Sequence, residues 1–510
     1  MSELPKGWAI CTLEECCAVI SGQSPPGETY NEEGIGLPFY QGKAEFNDLF
    51  PTPRKWCTEP TKTAIAGDVL ISVRAPVGPT NLASETCCIG RGLAALRPLN
   101  GVETRFVLYQ IRATEQRLAS VATGSTFSAV SSQQLKEHPF VLAPSNEQPR
   151  IVAEIEKQFT RLDAATAALK RAQANLKRYR ASVLKAACEG RLVPTEAELA
   201  RKEGRDYEPA DKLLQRILRE RRARWEADPL AKMQASGKPH KDDHWKQKYK
   251  EPSAPDTSNR SELPEGWAWS TIEQLTVANN GMVTGPFGTL IGKSDHRELG
   301  IPVVGIPNIT KAGFVRGNWF FLDESKASEL QRYEINPNDI VVSRSGTVGE
   351  ACVIGADQGR LIMSTNLMRI RTLPLSGIAE WVVVNLKGSG TVAAQLEDLC
   401  KGSTRPFLNL TILSGLLVSL PPEAEQERIF SELSKMLTVI DHLEGIVFQQ
   451  MDRASHLRQS VLRSAFTGQL VPQDPTDEPA SILLERIRTE RSTSVTQRPA
   501  RRSRKEPAHA

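Results

Sequence analysis

The stretch IEKQFTRLDAATAALKRAQANLKRYRASV, residues 155–183, carries an apolar residue at every seventh position. These residues are Ile155, Leu162, Leu169, Leu176 and Val183, and the positions three further along are mostly small. Such a heptad repeat is typical of a helix that packs along its length against another helix. The repeat therefore predicts a long helix that needs a partner.

A second heptad series lies 278 residues further along the chain, in the same register. We therefore expect each of the two helices to be the other's partner. The residues predicted to form the seam between them are Ile155, Leu162, Leu169, Leu176, Val183, Leu433, Ile440, Val447, Leu457 and Val461.

The two helices belong to a tandem repeat that covers nearly all of the 510 residues. The matching motifs are Ser2–Ala9 with Ser261–Ala268, Gly67–Ser72 with Asn338–Ser343, Gly124–Thr126 with Gly402–Thr404, Glu147–Gln148 with Glu425–Gln426, and Leu192–Pro194 with Leu470–Pro472. The offset varies within the globular parts but is constant through the long helices. A repeat of this length indicates two copies of one structural unit.

Within each half, short β-rich runs alternate with Gly/Pro turns and helical patches, which predicts an α/β or α+β fold. Ser145 and Gln148 have the spacing of a capping box, so we expect the first long helix to start there and to end near Gly190. A further helix is predicted from Thr195 to Arg224, with a capping box at Thr195 and Glu198. The polar stretch 226–260 is interpreted as a linker, and the basic tail 493–510 as disordered.

This interpretation divides the chain into six segments. They are a globular domain at 1–148, a long spacer helix at 149–194, a helix with a basic linker at 195–260, a second globular domain at 261–424, a second spacer helix at 425–472, and a short helix with a basic tail at 473–510.

The charge distribution argues against bulk electrostatic binding of nucleic acid. The net charge of +4 conceals two acidic domains, because residues 1–148 carry 12 Lys/Arg against 15 Asp/Glu and residues 261–424 carry 13 against 16. A domain that held DNA by overall charge would be basic. Any contact with DNA must therefore use local patches, and its strength can depend on a partner.

The sequence offers no set of catalytic residues. Gly288–Ser294 is one residue too short for a phosphate-binding loop, and Asn336–Asp339 lacks the second proline and the aromatic residue of an adenine methyltransferase motif. His240 and His244 have no third metal ligand nearby. The nine cysteines include no Cys-x-x-Cys, which favours reduced, buried thiols in a cytoplasmic protein. No apolar run approaches the roughly 18–20 residues that cross a membrane.

The duplicated order of motifs resembles the specificity subunit of type I restriction–modification systems. Each half opens with Leu-Pro-x-Gly-Trp, at Leu4–Trp8 and at Leu263–Trp267. Phe39–Lys43 follows in the first half, Gly285–Thr289 follows in the second, and Gly-Ser-Thr and Glu-Gln come later in both. The resemblance covers residues 2–226 and 261–490. Single motifs are weak, but their repeated order is specific to the family.

The resemblance implies an architecture and a function. Each globular unit would be a target recognition domain that reads one half of a bipartite site in double-stranded DNA. Two long antiparallel coiled-coil helices would give the chain pseudo-twofold symmetry. They would set the length of the unread gap between the two half-sites and dock two methyltransferase subunits. The chain itself would be non-catalytic and free of metal and cofactor. S-adenosylmethionine, ATP and Mg²⁺ would belong to the partner methyltransferase and restriction/translocase subunits.

Base edges are read by Arg, Lys, Asn, Gln and hydroxyl side chains on loops. In the first domain the candidates for DNA contact are Gln41, Lys43, Arg74, Arg91, Ser125 and Thr126. In the second domain they are Lys293, Asn308, Lys311, Arg344, Asn366 and Arg405. The alternative for each is a solvated surface residue, or a turn-stabilising residue for Ser125 and Asn308.

Two other functions are compatible with the sequence. The chain could be a coiled-coil scaffold that binds only protein, or a methyltransferase or nuclease whose motifs are not recognisable. Sequence-specific DNA binding by the assembled complex would exclude the scaffold, and turnover by the chain alone would favour the enzyme.

Overall fold

The computed structural model describes residues 4–122, 129–236, 244–258, 260–287, 290–375, 377–399 and 407–496. The chain forms two compact units. The first unit comprises Met1–Lys170 with Phe448–Ala510, and the second comprises Arg171–Val447. Both units mix helices with small sheets, as the sequence predicts.

The strands are short, as expected from β-rich runs separated by turns. In chain order they are β1 Ala9–Thr12, β2 Cys17–Ser21, β3 Tyr30–Asn31, β4 Leu37–Tyr40, β5 Lys55–Cys57, β6 Thr63–Ala64, β7 Val69–Ser72, β8 Thr80–Leu82, β9 Cys87–Ile89, β10 Leu93–Pro98, β11 Pro139–Leu142, β12 Ala268–Thr271, β13 Met282–Thr284, β14 Ile301–Val304, β15 Ile309–Thr310, β16 Gly313–Phe314, β17 Phe320–Leu322, β18 Glu334–Ile335, β19 Ile340–Ser343, β20 Ala351–Val353, β21 Leu361–Met363, β22 Leu367–Ile370 and β23 Leu417–Leu420.

The helices differ widely in length. They are α1 Leu13–Cys16, α2 Thr104–Ala113, α3 Glu115–Ser120, α4 Ser132–Lys136, α5 Glu147–Cys188, α6 Glu196–Glu203, α7 Ala210–Ser236, α8 Glu324–Glu329, α9 Ile378–Gly388, α10 Gly390–Leu399, α11 Leu410–Gly415, α12 Glu423–Phe466 and α13 Ala480–Thr496. The helices α5 and α12 each continue across the division between the two units.

The sheets repeat from one unit to the other. The first unit contains sheets of order β3-β5-β4-β9-β6, β2-β10-β7-β8 and β1-β11. The second contains β17-β14-β21-β18, β13-β22-β19-β20 and β12-β23, together with the hairpin β15-β16. In each unit one strand pair is parallel, β4 with β9 and β14 with β21, and the other pairs are antiparallel. The sequence repeat is therefore a structural repeat.

Buried polar bonds recur at matching places. The indole Nε1 of Trp8 donates to Glu147 at 2.9 Å, and that of Trp267 donates to Glu425 at 2.9 Å. Both carboxylates lie in the first turn of a long helix, and burial raises the pKa of each. These bonds anchor the opening Leu-Pro-x-Gly-Trp motif of each half to a long helix. They explain why both halves carry this motif together with the Glu-Gln motif.

The ends of α5 differ in how well they match the sequence prediction. Gly190 follows the helix in the left-handed conformation with φ of +66°, as expected for a helix-terminating glycine. The capping box predicted from Ser145 and Gln148 is wrong. Ser145 Oγ donates to the Gly101 carbonyl, and the Gln148 amide accepts from the Glu103 N–H at 2.8 Å. These two side chains bind neighbouring segments instead of the helix terminus.

The helices α5 and α12 run antiparallel within each unit. In the first unit Arg458 of α12 pairs with Asp163 and lies 4.6 Å from the Phe159 ring centroid. Arg150, earlier on α5, bonds to Asp477, which lies beyond the end of α12. In the second unit Arg180 pairs with Asp441 and Glu444. Further along, Arg428 near the start of α12 approaches the carbonyl of Pro194, which lies beyond the end of α5.

The first heptad position forms the contact face of these helices, whereas the second position is more exposed, with Met436 half-buried and Leu443 exposed. Five residues predicted for the seam are buried, namely Ile155, Val183, Leu433, Ile440 and Val447. Four more are half-buried, namely Leu162, Leu169, Leu176 and Val461. Leu457 is 44% exposed, so its predicted place in the seam is wrong.

The segment between the halves is more structured than predicted. The capping box at Thr195 is confirmed, with Oγ1 accepting from the Glu198 N–H at 3.2 Å. The predicted single helix is two helices, because Gly204 ends α6 in the left-handed conformation. The helix α7 continues to Ser236, and Trp225 stacks on Trp245 at 5.8 Å within the stretch interpreted as a linker. The tail beyond residue 496 lies outside the described residues.

Candidate nucleic-acid interface

The parallel strand pair of the first unit brings two loops together. Tyr40 of β4 pairs with Ile89 of β9, and the carboxyl ends of parallel strands meet at one edge of a sheet. Gln41 and Arg91, which follow these strands, are therefore neighbours. Gly92 permits the close approach, since a Cβ on it would lie 2.1 Å from the Gln41 carbonyl oxygen.

Four of the six predicted residues of the first domain line one depression of about 430 Å³, which we call the first-unit concavity. It is formed by Ser24, Tyr30, Gln41, Gly42, Lys43, Ser72, Arg74, Ala75, Arg91 and Gly92. The side chains of Gln41, Lys43, Arg74 and Arg91 are exposed there. Among its lining residues three are cationic and none is acidic, so its chemistry suits a ligand rich in hydrogen-bond acceptors.

Local bonds fix the loops of the concavity. The Ser72 hydroxyl donates to the Arg74 carbonyl at 3.0 Å, and the Arg91 N–H donates to Ser24 Oγ at 3.4 Å. The Tyr30 hydroxyl donates to the Pro25 carbonyl at 2.7 Å, and burial raises its pKa. Ser24 and Tyr30 were not among the residues predicted from the sequence, because neither belongs to a motif that the two halves share.

The loops that follow β7 and β9 in the first unit are held by a set of hydrogen bonds, which we call the loop frame. The second unit repeats this loop frame with other side chains. Ser343 Oγ donates to the Ser345 carbonyl at 3.0 Å, as Ser72 does to Arg74. The Arg344 N–H donates to the Asn366 carbonyl at 3.1 Å, as that of Val73 does to Gly92. Ser345 thus corresponds to Arg74, Arg344 to Val73 and Asn366 to Gly92. The two units present different residues on the same backbone frame.

An aromatic–arginine cluster of Phe287, Arg344 and Phe407 occupies this edge of the second unit. The guanidinium carbon of Arg344 lies 4.8 Å from the Phe287 ring centroid and 4.2 Å from that of Phe407. Arg344 is only 4% exposed, and burial lowers its pKa. The exposed Asn366 accepts from the Ser345 hydroxyl nearby, at 3.4 Å. Phe287 belongs to the Gly285–Thr289 motif, which was the available sequence signal for this cluster.

Asn308 is committed to its own loop. It is 2% exposed, its carbonyl oxygen accepts from the Gly305 N–H at 2.8 Å, and its amide nitrogen donates to Val315 and Gly317. Both ends of the side-chain amide are therefore used internally, which matches the turn-stabilising alternative.

The remaining candidates of the second domain lie at separate positions. Lys293 is exposed on a short 3₁₀ turn, Lys293–Asp295. Lys311 lines a different depression of about 250 Å³, together with Lys177, Arg180 and Lys387 among others. Ser125, Thr126 and Arg405 lie outside the described residues.

The described residues bear on the sequence predictions about metal ligands, cysteines and membrane spans. Within them, no group of three or more His, Cys, Asp or Glu side chains is arranged to hold a metal ion. The eight cysteines of the described part are buried and have free thiols. Asn336–Asp339 forms the turn before β19, with Asp339 accepting from the Asn336 N–H at 2.7 Å and pairing with Arg371. In the same part of the chain, no helix has the length and apolar character needed to cross a membrane.

Comparison with known proteins identifies the family. A model of the type I restriction modification DNA specificity domain matches residues 5–177 and 288–446. The EcoKI specificity subunit of Escherichia coli strain K12 is 21% identical over 98% of this chain and 99% of its own length. A candidate specificity subunit of the type I restriction enzyme MjaX of Methanocaldococcus jannaschii is 38% identical, but over only 31% of this chain and 37% of its own length.

A solved structure gives a further likeness. The HsdS subunit from Thermoanaerobacter tengcongensis is 49% identical over 33% of this chain and 41% of its own chain, with a TM-score of 0.31. The family model alone matches well over half of the 510 residues, in two segments that fall one in each half of the repeat. The chain therefore belongs to the family of type I restriction–modification DNA specificity subunits.

Proposed function

We propose that this chain reads a bipartite DNA target, with one half-site for each recognition domain, and docks methyltransferase subunits on its paired helices. The observation that carries the proposal is the repeated loop frame with different side chains on it. Arg74 in the first unit corresponds to Ser345 in the second, and Val73 corresponds to Arg344. The two domains share the backbone hydrogen bonds of these loops but carry different side-chain donors and acceptors. This arrangement suits two domains that recognise different short sequences.

The first-unit concavity supplies the contacts expected for one half-site. Arg91, Arg74 and Lys43 can donate to guanine O6 and N7 or to phosphate oxygens, and the Gln41 amide can pair with adenine. Exposed cations on an acidic domain favour local contacts over bulk attraction. The proposal therefore includes weak DNA binding by the chain alone and tighter binding in the assembled complex.

The long helices suit the roles of spacer and docking surface. The helices α5 and α12 contain 42 and 44 residues. At roughly 1.5 Å per residue each is about 60 Å long. We propose that they act as a coiled-coil spacer whose length fixes the distance between the two half-sites. The exposed residues Val439, Leu443 and Ile446, spaced for one face of α12, form an apolar stripe on which a methyltransferase subunit can pack.

The chemistry is proposed to reside in the partner subunits. Methyl transfer from S-adenosylmethionine, and restriction driven by ATP and Mg²⁺, would be carried out by methyltransferase and restriction/translocase subunits. This chain would contribute DNA sequence selection and assembly, in the cytoplasm where its substrate DNA lies. The family to which the chain belongs supports this division of labour.

Reconstitution tests this proposal against its alternatives. The purified chain is mixed with its methyltransferase subunits, and radiolabelled methyl transfer to genomic DNA is measured for the chain, the partner and the complex. We expect transfer by the complex only, at a bipartite sequence. Transfer by the chain alone would support an unrecognised enzyme. An assembled complex that binds all DNA sequences equally would support a scaffold that recognises only protein.

A further inference from the structure

Arg344 is a buried cation without the acceptors that normally accompany one. Within the described residues no carboxylate pairs with it, its Nε has no hydrogen-bond partner, and its Nη1 reaches only the Thr365 carbonyl, at 3.4 Å. A buried charge left unpaired is costly, and burial lowers the pKa of this guanidinium. The two flanking phenylalanine rings offset part of that cost through cation–π attraction.

Arg369 of the same unit shows what a structural arginine looks like. It is 2% exposed, and its Nε, like that of Arg344, has no hydrogen-bond partner. Its two Nη atoms, however, donate to the carbonyls of Glu334, Arg332 and Asn280, and Asp339 lies 3.9 Å from its Nε. Arg369 therefore holds neighbouring segments together through internal acceptors. Arg344 has nearly the same burial but lacks such a set, so the fold alone does not account for it.

The position of Arg344 indicates where the missing acceptor comes from. Its N–H and carbonyl are fixed by Asn366 and Leu408, on the loop frame that carries the exposed Arg74 in the first unit. Phe287 and Phe407 are 54% and 45% exposed, so the cluster lies at the surface. Two ring centroids within 4.8 Å of the guanidinium carbon restrict its movement before any ligand arrives, which reduces the entropy lost on binding.

We propose that the aromatic–arginine cluster is a DNA contact of the second half-site, in which Arg344 donates to an acceptor on the DNA and the two phenylalanines restrict the movement of its guanidinium. This inference rests on the function proposed above. The acceptor is either the O6/N7 edge of a guanine or a phosphate oxygen, since both bind a guanidinium fork in the same way. The first domain, by contrast, presents several exposed donors in the first-unit concavity.

The test measures stability and DNA methylation together for two matched variants, Arg344→Leu and Arg369→Leu, in the reconstituted complex. Arg344→Leu is expected to keep or raise the melting temperature of the chain, because it removes an unpaired buried charge. It is expected to lower methylation of the wild-type target roughly 10- to 100-fold. Arg369→Leu is expected to lower the melting temperature, because it leaves buried carbonyls without donors.

Modified duplexes distinguish the two acceptors. Duplexes carrying the target defined by methylome sequencing are made with 7-deazaguanine, or with a methylphosphonate linkage, at single positions of the second half-site. One of these changes should weaken binding of the wild-type complex and leave binding of Arg344→Leu unchanged. An effect of 7-deazaguanine identifies a guanine, and an effect of the methylphosphonate identifies a phosphate.

Two results would overturn the inference while the proposed function stands. One is an Arg344→Leu complex that methylates the same sequence at the wild-type rate. The other is an Arg344→Leu chain that loses thermal stability as Arg369→Leu does, with activity falling in proportion. A wild-type complex that methylates no bipartite sequence would instead refute the proposed function, and this inference with it.

Discussion

Gly190 and Gly204 have nearly the same backbone conformation in different surroundings. Their φ angles are +66° and +65°, but a Cβ on Gly190 would lie 2.6 Å from Pro264 whereas Gly204 faces open space. Gly204→Ala should cost about 1–2 kcal/mol of unfolding free energy from the left-handed conformation alone. Gly190→Ala should cost a further ~1–3 kcal/mol from the steric clash. Urea denaturation of both variants measures this difference, and equal losses would contradict the packing described for Gly190.

His138 makes the stability of the first unit depend on pH. It is buried, its Nε2 lies 2.9 Å from Thr114 Oγ1, and burial together with Arg117 lowers its pKa from 6.5 to about 4. The unfolded chain binds a proton near pH 6.5, so the contribution of His138 is complete above that pH and is lost as the pH falls toward 4. Between pH 7.5 and 5 the loss should be about 2 kcal/mol.

The matched variant for this effect is His138→Gln, which keeps a polar group near Thr114 but does not titrate. Urea denaturation of both proteins at pH 7.5 and pH 5 measures the effect. The wild type should lose about 2 kcal/mol more than the variant over this range. Parallel losses in the two proteins would mean that His138 is not held neutral by the fold.

At the residue scale the structure brings some of the predicted DNA-contact residues together and separates others. Gln41, Lys43, Arg74 and Arg91, which are polar residues on loops, line the first-unit concavity, and their contact with DNA stays a prediction. Asn308 and Arg344 belong to the same class, yet both are buried. Burial depends on neighbours such as Phe407 that are distant along the chain, and a single sequence contains no signal for those neighbours.

The helix α12 has two faces with different roles, which paired substitutions can separate. Ile440 is 1% exposed and faces the helix contact, whereas Leu443, one turn later, is 41% exposed. Ile440→Ala should lower the unfolding free energy by about 2–5 kcal/mol, and Leu443→Ala by less than about 0.5 kcal/mol. Leu443→Asp should instead weaken binding of the methyltransferase subunit, measured by calorimetric titration. An undiminished affinity would show that the apolar stripe is not the docking surface.

At the element scale periodicity predicted more than local capping signals did. The heptads identified both long helices and the buried first position, since seven-residue spacing directly encodes one face of a helix. The same heptads wrongly placed Leu457 in the contact, where it is 44% exposed, because seven-residue spacing does not show which of the two heptad positions is buried. The predicted capping box at Ser145 and Gln148 is wrong because these side chains bond to Gly101 and Glu103, which are distant along the chain and come near only on folding.

The spacer role leads to a prediction about the whole molecule. Inserting one heptad into α5 and one into α12 would lengthen both helices by about 10 Å, at roughly 1.5 Å per residue. The unread gap of the target should grow by about three base pairs, at ~3.4 Å per base pair. A single insertion in α5 alone would break the register of the pair and serves as the control. An unchanged number of unread base pairs in the methylated sequence would show that the helix length does not set the gap.

At the scale of the whole molecule the repeat was the most predictable feature. Duplicated motifs such as those containing Trp8 and Trp267 form equivalent buried bonds to Glu147 and Glu425, so sequence similarity corresponded to equal structure. The differences between the halves could not be predicted in the same way. Val73 and Arg344 directly follow the matched motifs Gly67–Ser72 and Asn338–Ser343, so the repeat aligns them, but it does not indicate that Arg344 is buried between aromatic residues.

The central claim is that each recognition domain reads its own half-site. Methylome sequencing of cells that carry the complete system tests it most directly, with the wild-type chain, Arg74→Ala/Arg91→Ala and the exposed control Lys6→Ala, which lies outside the concavity. The account predicts a bipartite motif for the wild type and for Lys6→Ala, and relaxed sequence preference in one half only for the double variant. A contiguous motif, or a change in both halves together, would contradict it.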